Sequence, residues 1–106
     1  MSDNEISIEE LKFIVEKFVN ERDWEKFHSP KNLSMSISIE ASELMELFQW
    51  LTFNESKEKM KEGRLRKNAI DEIADVMIYA ISFCNRNNID ISEAISQKMK
   101  KNEKKY

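Results

Sequence analysis

An all-α fold, a bundle of four to five helices built as one domain over residues 1–106, is what the sequence predicts, and three observations carry the prediction. One Gly and one Pro in the whole chain leave few tight turns and so call for long helices. Apolar residues recur at helical spacing through long segments, as in Leu11, Ile14, Val15 and Phe18. Helix-start chemistry stands in front of three of those segments: Ser7-x-x-Glu10, Ser29-Pro30 and Asp90-x-x-Glu93. With 41% hydrophobic and 35% charged residues, the chain has the composition of a globular rather than a disordered protein. A net charge of -3 provides no basic footprint for duplex nucleic acid, and no apolar run has membrane length. Cys84 is alone and cannot form an internal disulfide, so the expected setting is the cytoplasm, with neither nucleic acid nor membrane as partner. At 106 residues the core is modest, and association of copies would add to its burial.

The first helix is expected from the capping box at Ser7 to about Phe27. Ser29 as N-cap and Pro30 in the first turn then open a second helix. Here Leu33, Met35, Ile37 and Ile39 alternate with serines, the template of a half-buried strand. The run passes without a turn signal into Glu40-Ala-Ser-Glu-Leu-Met-Glu-Leu-Phe, whose period is helical, so helix is the expectation throughout. Residues 52–63 are polar and form a loop or short exposed helix, a link short enough to set its neighbours antiparallel. A third long helix, from about Leu65 to Asn85, is apolar almost all round and should be the most buried, shared with another subunit. Asn87-Asn88 ends it, and a last helix follows the second capping box through Ile91, Ala94, Ile95 and Met99.

Within this frame four acids stand where apolar residues belong. At about 100° per residue, Glu40 projects within roughly 20 to 40° of Leu33, Leu44, Leu47 and Leu51, which puts a carboxylate in a buried stripe. Glu43 lies three residues on. Glu72 and Asp75 repeat the spacing on the third long helix, flanked by Leu65, Val76 and Phe83, with Tyr79 a turn beyond. Ionised carboxylates buried without partners cost several kcal/mol each, and the surrounding sequence offers no matching bases. A divalent metal answers both problems: hard oxygen ligands suit Mg²⁺ or Mn²⁺, and Mg²⁺ usually arrives with phosphates. Glu46 projects about 120° from Glu40, towards the polar side, and is left out of the site together with Asp71. Trp24, Trp50 and Tyr79 are candidates to stack on a base, an interaction that contributes about 1 to 3 kcal/mol per base. The Glu25-x-x-His28 spacing occurs once, whereas helical di-iron sites need such a motif twice.

The runs Glu21-Arg22-Asp23-Trp24-Glu25-Lys26-Phe27-His28-Ser29-Pro30-Lys31-Asn32-Leu33, Glu40-x-x-Glu43-Leu-x-Glu-Leu-Phe-Gln-Trp50, Asp71-Glu-Ile-Ala-Asp75-Val-Met-Ile-Tyr79 and Lys98-Met-x-x-Asn102-x-x-x-Tyr106 resemble the all-α NTP pyrophosphohydrolases of the MazG type. Among these the chain is most similar to the dCTP pyrophosphatase branch. The resemblance implies hydrolysis of a nucleoside triphosphate, a pyrimidine deoxynucleotide such as dCTP, to the monophosphate and pyrophosphate. It implies Mg²⁺ held by Glu40, Glu43, Glu72 and Asp75. It places Trp24, Trp50 and Tyr79 at the nucleotide pocket, His28 near the base or phosphates, and Lys98 and Asn102 within reach of the triphosphate. It also implies a homodimer or homotetramer whose sites are made partly by a neighbouring subunit. One departure is Val15, nine positions before Trp24, where dCTP-preferring relatives carry histidine.

The chemistry agrees with the residues taken alone. Phosphoanhydride hydrolysis needs charge neutralisation and an activated water, which metal ions on carboxylates supply, and the chain has no P-loop to do it otherwise. Glu40 and Glu43 are equal candidates for orienting the water. Two other readings are a non-catalytic helical module whose acids bind a basic partner, and a related phosphohydrolase acting on another phosphorylated metabolite such as phosphoribosyl-ATP.

Overall fold

The structure, a computed structural model, describes residues 1–106. Five α-helices make it up: α1 (Ile8–Glu21), α2 (Pro30–Glu46), α3 (Phe53–Lys59), α4 (Arg64–Arg86) and α5 (Ile91–Lys105). One turn of 3₁₀ helix covers Glu25–Phe27, and there is no strand. The all-α expectation holds. So does helix rather than strand over residues 33 to 39: Ser34 and Ser42 donate their hydroxyls back to the carbonyls of Lys31 and Ser38, which absorbs polar groups that would otherwise break the pattern.

The caps explain where each element starts. Ser7 accepts from the Glu10 amide while the Glu10 side chain accepts from the Ser7 amide, a complete capping box. Ser29 accepts from the Asn32 amide, with Pro30 in the first turn of α2. Thr52 and Glu55 form a second complete box and make α3 a helix rather than a loop. At α5 only half of the expected box forms. Asp90 accepts from the Glu93 amide, but the Glu93 carboxylate turns to accept from Gln97 one turn on.

Three helix ends differ from expectation or sharpen it. The first helix stops at Glu21, six residues short of Phe27, because Asp23 adopts a left-handed φ of 55° and Trp24 donates back to the Val19 carbonyl. That is a Schellman end built on aspartate instead of glycine, and Trp24 closes it by packing edge-on against Phe18 at 5.6 Å between ring centroids. The α2 helix gives out at Glu46, so Trp50 lies in the turn beyond it. Asn88, with φ 54°, ends α4 in the same left-handed way as Asp23, and Ile89 donates to the Cys84 carbonyl.

The central pair is α2 with α4, and α1 also packs on α4. Glu43 meets Glu72, and Ser36 and Ile39 face Tyr79 across one cavity, so α2 and α4 run antiparallel. Burial is sparse: 6 of 106 residues are buried, with Leu33 of α2, Val15 and Val19 of α1, and Ala69, Ile81 and Ser82 of α4. The expectation that α4 is buried all round is met on one side only. Ile70, Ile73, Met77 and Ile78 stay exposed, and an apolar groove of about 420 Å³ runs between α1 and α4 beside them. Val15 lines that groove, not the cavity beside Trp24.

The α1–α4 contact is fastened by polar links. Arg86 pairs with Glu16, both about one quarter exposed, Asn85 donates to the Lys12 carbonyl, and Lys12 donates to the Ile89 carbonyl. Replacing Glu16 by alanine leaves Arg86 half-buried without its partner, and a loss of about 1 to 2 kcal/mol in unfolding free energy is expected. Urea denaturation measures it, and an unchanged midpoint would show that the pair holds nothing together.

Candidate active site

The two acid pairs converge. Glu40 and Glu43 project from α2 and Glu72 from α4, and one oxygen from each lies within 4.8 Å of the others. Asp75 stands just outside this group, yet its charge reaches both Glu40 and Glu72. One oxygen of Glu40 and one of Glu72 are shielded from solvent and have no hydrogen-bond partner. Burial, a proton shared with Glu43, and the charges of Glu43, Asp75 and Glu72 push Glu40 from the ordinary 4.5 up to about 7. Glu72 is also raised, first by burial, then by its hydrogen bond to Glu43 and by the charges of Glu43, Asp75 and Asp71. Asp71, left out of the site, thus contributes charge to Glu72 without joining the cluster. Glu46 is exposed on the polar side.

These are the properties of a cation site built from hard oxygen donors. Carboxylates that repel one another and lack bases would be stabilised together by a divalent ion, and Glu40, Glu43 and Glu72 could hold one. Without metal, the sign of the pH dependence follows. Glu40 and Glu72 hold protons in the folded chain that they release when unfolded, so the stability they contribute is full below about pH 4.5 and is lost as pH rises through about 7 for Glu40. The Tm of EDTA-treated protein should therefore fall between about pH 5 and 8 relative to the Glu40→Gln variant. Parallel curves for the two proteins would contradict the cluster's repulsion.

Beside the acids opens a cavity of about 430 Å³, lined by Trp24, Phe27, His28, Asn32, Met35, Ser36, Ile39 and Tyr79. The Schellman end of α1 delivers Trp24, and the 3₁₀ turn delivers Phe27 and His28. Asn32 holds that turn against α2 by donating to the Phe27 carbonyl at 3.0 Å. The His28 and Tyr79 rings lie 6.4 Å apart. Burial lowers the pKa of His28 against the opposing charge of Glu25, which favours the neutral ring. His28 Nδ1 and one Glu25 oxygen are also shielded and unpartnered. Of the sequence candidates, then, Trp24, His28 and Tyr79 come together. Trp50 does not: it is 87% exposed and outside the cavity, so the closed wall of Trp24, Trp50 and Tyr79 is absent from a single chain. Lys98 and Asn102 of α5 make no side-chain hydrogen bond or ion pair with the cluster, and neither lines the cavity. Phe27, Asn32, Met35, Ser36 and Ile39 line the cavity without having been singled out in the sequence. The four-residue spacing from His28 through Asn32 and Ser36 to Glu40 is the signal that would have found two of them.

Fold and site define a class: an all-α domain with a carboxylate cluster between two antiparallel helices and an aromatic cavity one turn away. The MazG-like family profile matches residues 35–106, and the chain belongs to the MazG-like family. It is 36% identical over 102 residues to dCTP pyrophosphatase 1 of Homo sapiens, and 34% identical over 102 residues to that of Mus musculus. Each match takes in 96% of this chain but 60% of the relative, so the chain spans about three fifths of the curated proteins' length. The crystal structure of a pyrophosphatase from Archaeoglobus fulgidus superposes with a TM-score of 0.88 at 42% identity, covering 100% of this chain and 97% of that one. No helix is long and apolar enough to cross a membrane.

Proposed function

We propose that this protein hydrolyses nucleoside triphosphates to the monophosphate and pyrophosphate, with Mg²⁺ or Mn²⁺ as cofactor and a pyrimidine deoxynucleotide such as dCTP as substrate, in the nucleotide pool of the cytoplasm. The observation that carries this reading is the convergence of Glu40, Glu43 and Glu72, with two shielded and unpartnered oxygens, beside an aromatic cavity. The names of the relatives, dCTP pyrophosphatase and pyrophosphatase, support it. Glu40, Glu43, Glu72 and Asp75 would hold the metal. When bound, it would neutralise charge on the phosphate oxygens and lower the pKa of the attacking water. Glu40 or Glu43 orients that water, since both sit inside the cluster. Trp24 and Tyr79 take the base between them, with His28 at its edge.

The working unit in this reading is a homodimer or homotetramer. Exposed Ile70, Ile73 and Met77 on α4 provide apolar surface for association, and Trp50, Lys98 and Asn102 complete the pocket of a neighbouring copy instead of their own. A non-catalytic module binding a basic partner fits less well, because it would present every acid to solvent, whereas Glu40 and Glu72 each keep one oxygen shielded while Glu43 and Asp75 are exposed.

A screen of dNTPs and NTPs for pyrophosphate release, with and without Mg²⁺, tests the reading. Metal-dependent pyrophosphate is expected, with dCTP, dTTP or dUTP above dATP. Direct orthophosphate release, or a rate indifferent to EDTA, would refute it. A purine favoured by about tenfold, or about 1.4 kcal/mol, removes the pyrimidine assignment alone. Turnover of phosphoribosyl-ATP with none of the nucleotides would favour the related phosphohydrolase.

A further inference from the structure

The cavity and the carboxylate cluster lie along one line of α2. Asn32, Ser36 and Glu40 follow at intervals of four and so share a helix face. Asn32 and Ser36 line the cavity, and Glu40, about 6 Å further along the axis from Ser36, belongs to the cluster. On α4, Tyr79 lines the same cavity one turn beyond Asp75. A ligand with a flat end against Trp24, Phe27 and Tyr79 and an anionic end at the acids would pass along the wall that holds Ser36 and Ile39.

Ser36 is the one serine of α2 that lines the cavity. Ser34 and Ser42 spend their hydroxyls on helix carbonyls, whereas the Ser36 hydroxyl makes no hydrogen bond within the chain and sits half-buried in the cavity wall between Met35 and Ile39. A hydroxyl left free on a cavity wall can exchange water for a hydrogen-bonding group of a ligand. The part of a nucleotide between base and phosphates is the sugar. We propose that Ser36 is a specificity-determining residue that hydrogen-bonds a sugar hydroxyl of the bound nucleotide. This rests on the nucleotide reading of the site above and adds the point at which the sugar is read.

The test compares wild type and Ser36→Ala on the ribo-, 2′-deoxyribo- and 2′,3′-dideoxyribonucleoside triphosphates of one base. Alanine is a better helix former than serine, so the fold is kept. In wild type, kcat/KM should drop about fivefold when the contacted hydroxyl is removed from the substrate, the size of one neutral hydrogen bond. Ser36→Ala should lose the same factor on substrates that carry that hydroxyl and nothing on the dideoxynucleotide. Equal loss on all three substrates, or a wild type indifferent to the sugar hydroxyls, overturns the assignment to Ser36 while leaving the hydrolase reading intact. A wild type that turns over none of them in Mg²⁺ or Mn²⁺ overturns both.

Discussion

Replacing Glu43 by glutamine should abolish turnover and leave the helices intact. Glu43 lies between Glu40 and Glu72 and interacts with both, so its charge is central to holding a cation there. Glutamine keeps the shape and removes the charge. The several kcal/mol of transition-state stabilisation that a bound metal supplies correspond to a loss of at least about a thousandfold in kcat. Asp75→Asn should behave alike, because Asp75 acts on the same two acids from the edge of the cluster. Stability should move the other way: without metal, removing one charge relieves repulsion, and the Tm of Glu43→Gln should equal or exceed that of wild type. Glu46→Gln is the control, since Glu46 is exposed like Glu43 and three residues from it but stands outside the cluster. Steady-state kinetics with circular dichroism on the three variants decides the matter. Equal losses in Glu46→Gln and Glu43→Gln would mean that the face of α2 has been misassigned.

The same contrast shows what sequence could disclose. An acid in a leucine stripe is a local anomaly, legible from angular phase alone, and Glu40 was readable for that reason. Ser7, Ser29 and Asp90 were readable because an N-cap is a contact between residues three apart. The end of α1 was not. Asp23 looks like any polar helical residue, and its left-handed φ follows from Trp24 turning back onto Phe18, a choice made by packing. Phe27, Met35 and Ile39 carry no polar group that would mark a site, yet they wall a cavity and stay exposed. Trp50 was grouped with Trp24 on chemistry, but α2 ends four residues before it and leaves it pointing into solvent.

That stranded tryptophan leads to the second large effect. If Trp50 serves a neighbour's pocket, Trp50→Ala should raise KM more than it lowers kcat, because stacking holds substrate and transition state about equally. The loss in kcat/KM should be about 5- to 150-fold, from the 1 to 3 kcal/mol that base stacking contributes. Glu43→Gln should be inactive for a different reason, within its own cluster. Unfolding and refolding the two variants together would produce mixed oligomers in which a Trp50→Ala protomer with intact acids meets Trp50 from a Glu43→Gln neighbour. Each such pairing restores one complete site. In an equal mixture of dimers, half are mixed and one of their two sites is whole, so these sites alone should bring kcat/KM to about a quarter of wild type, above the average of the two parents. Activity no greater than the average of the two parents would place Trp50 on its own chain's pocket, reached by a movement of the turn after α2, or outside the reaction altogether.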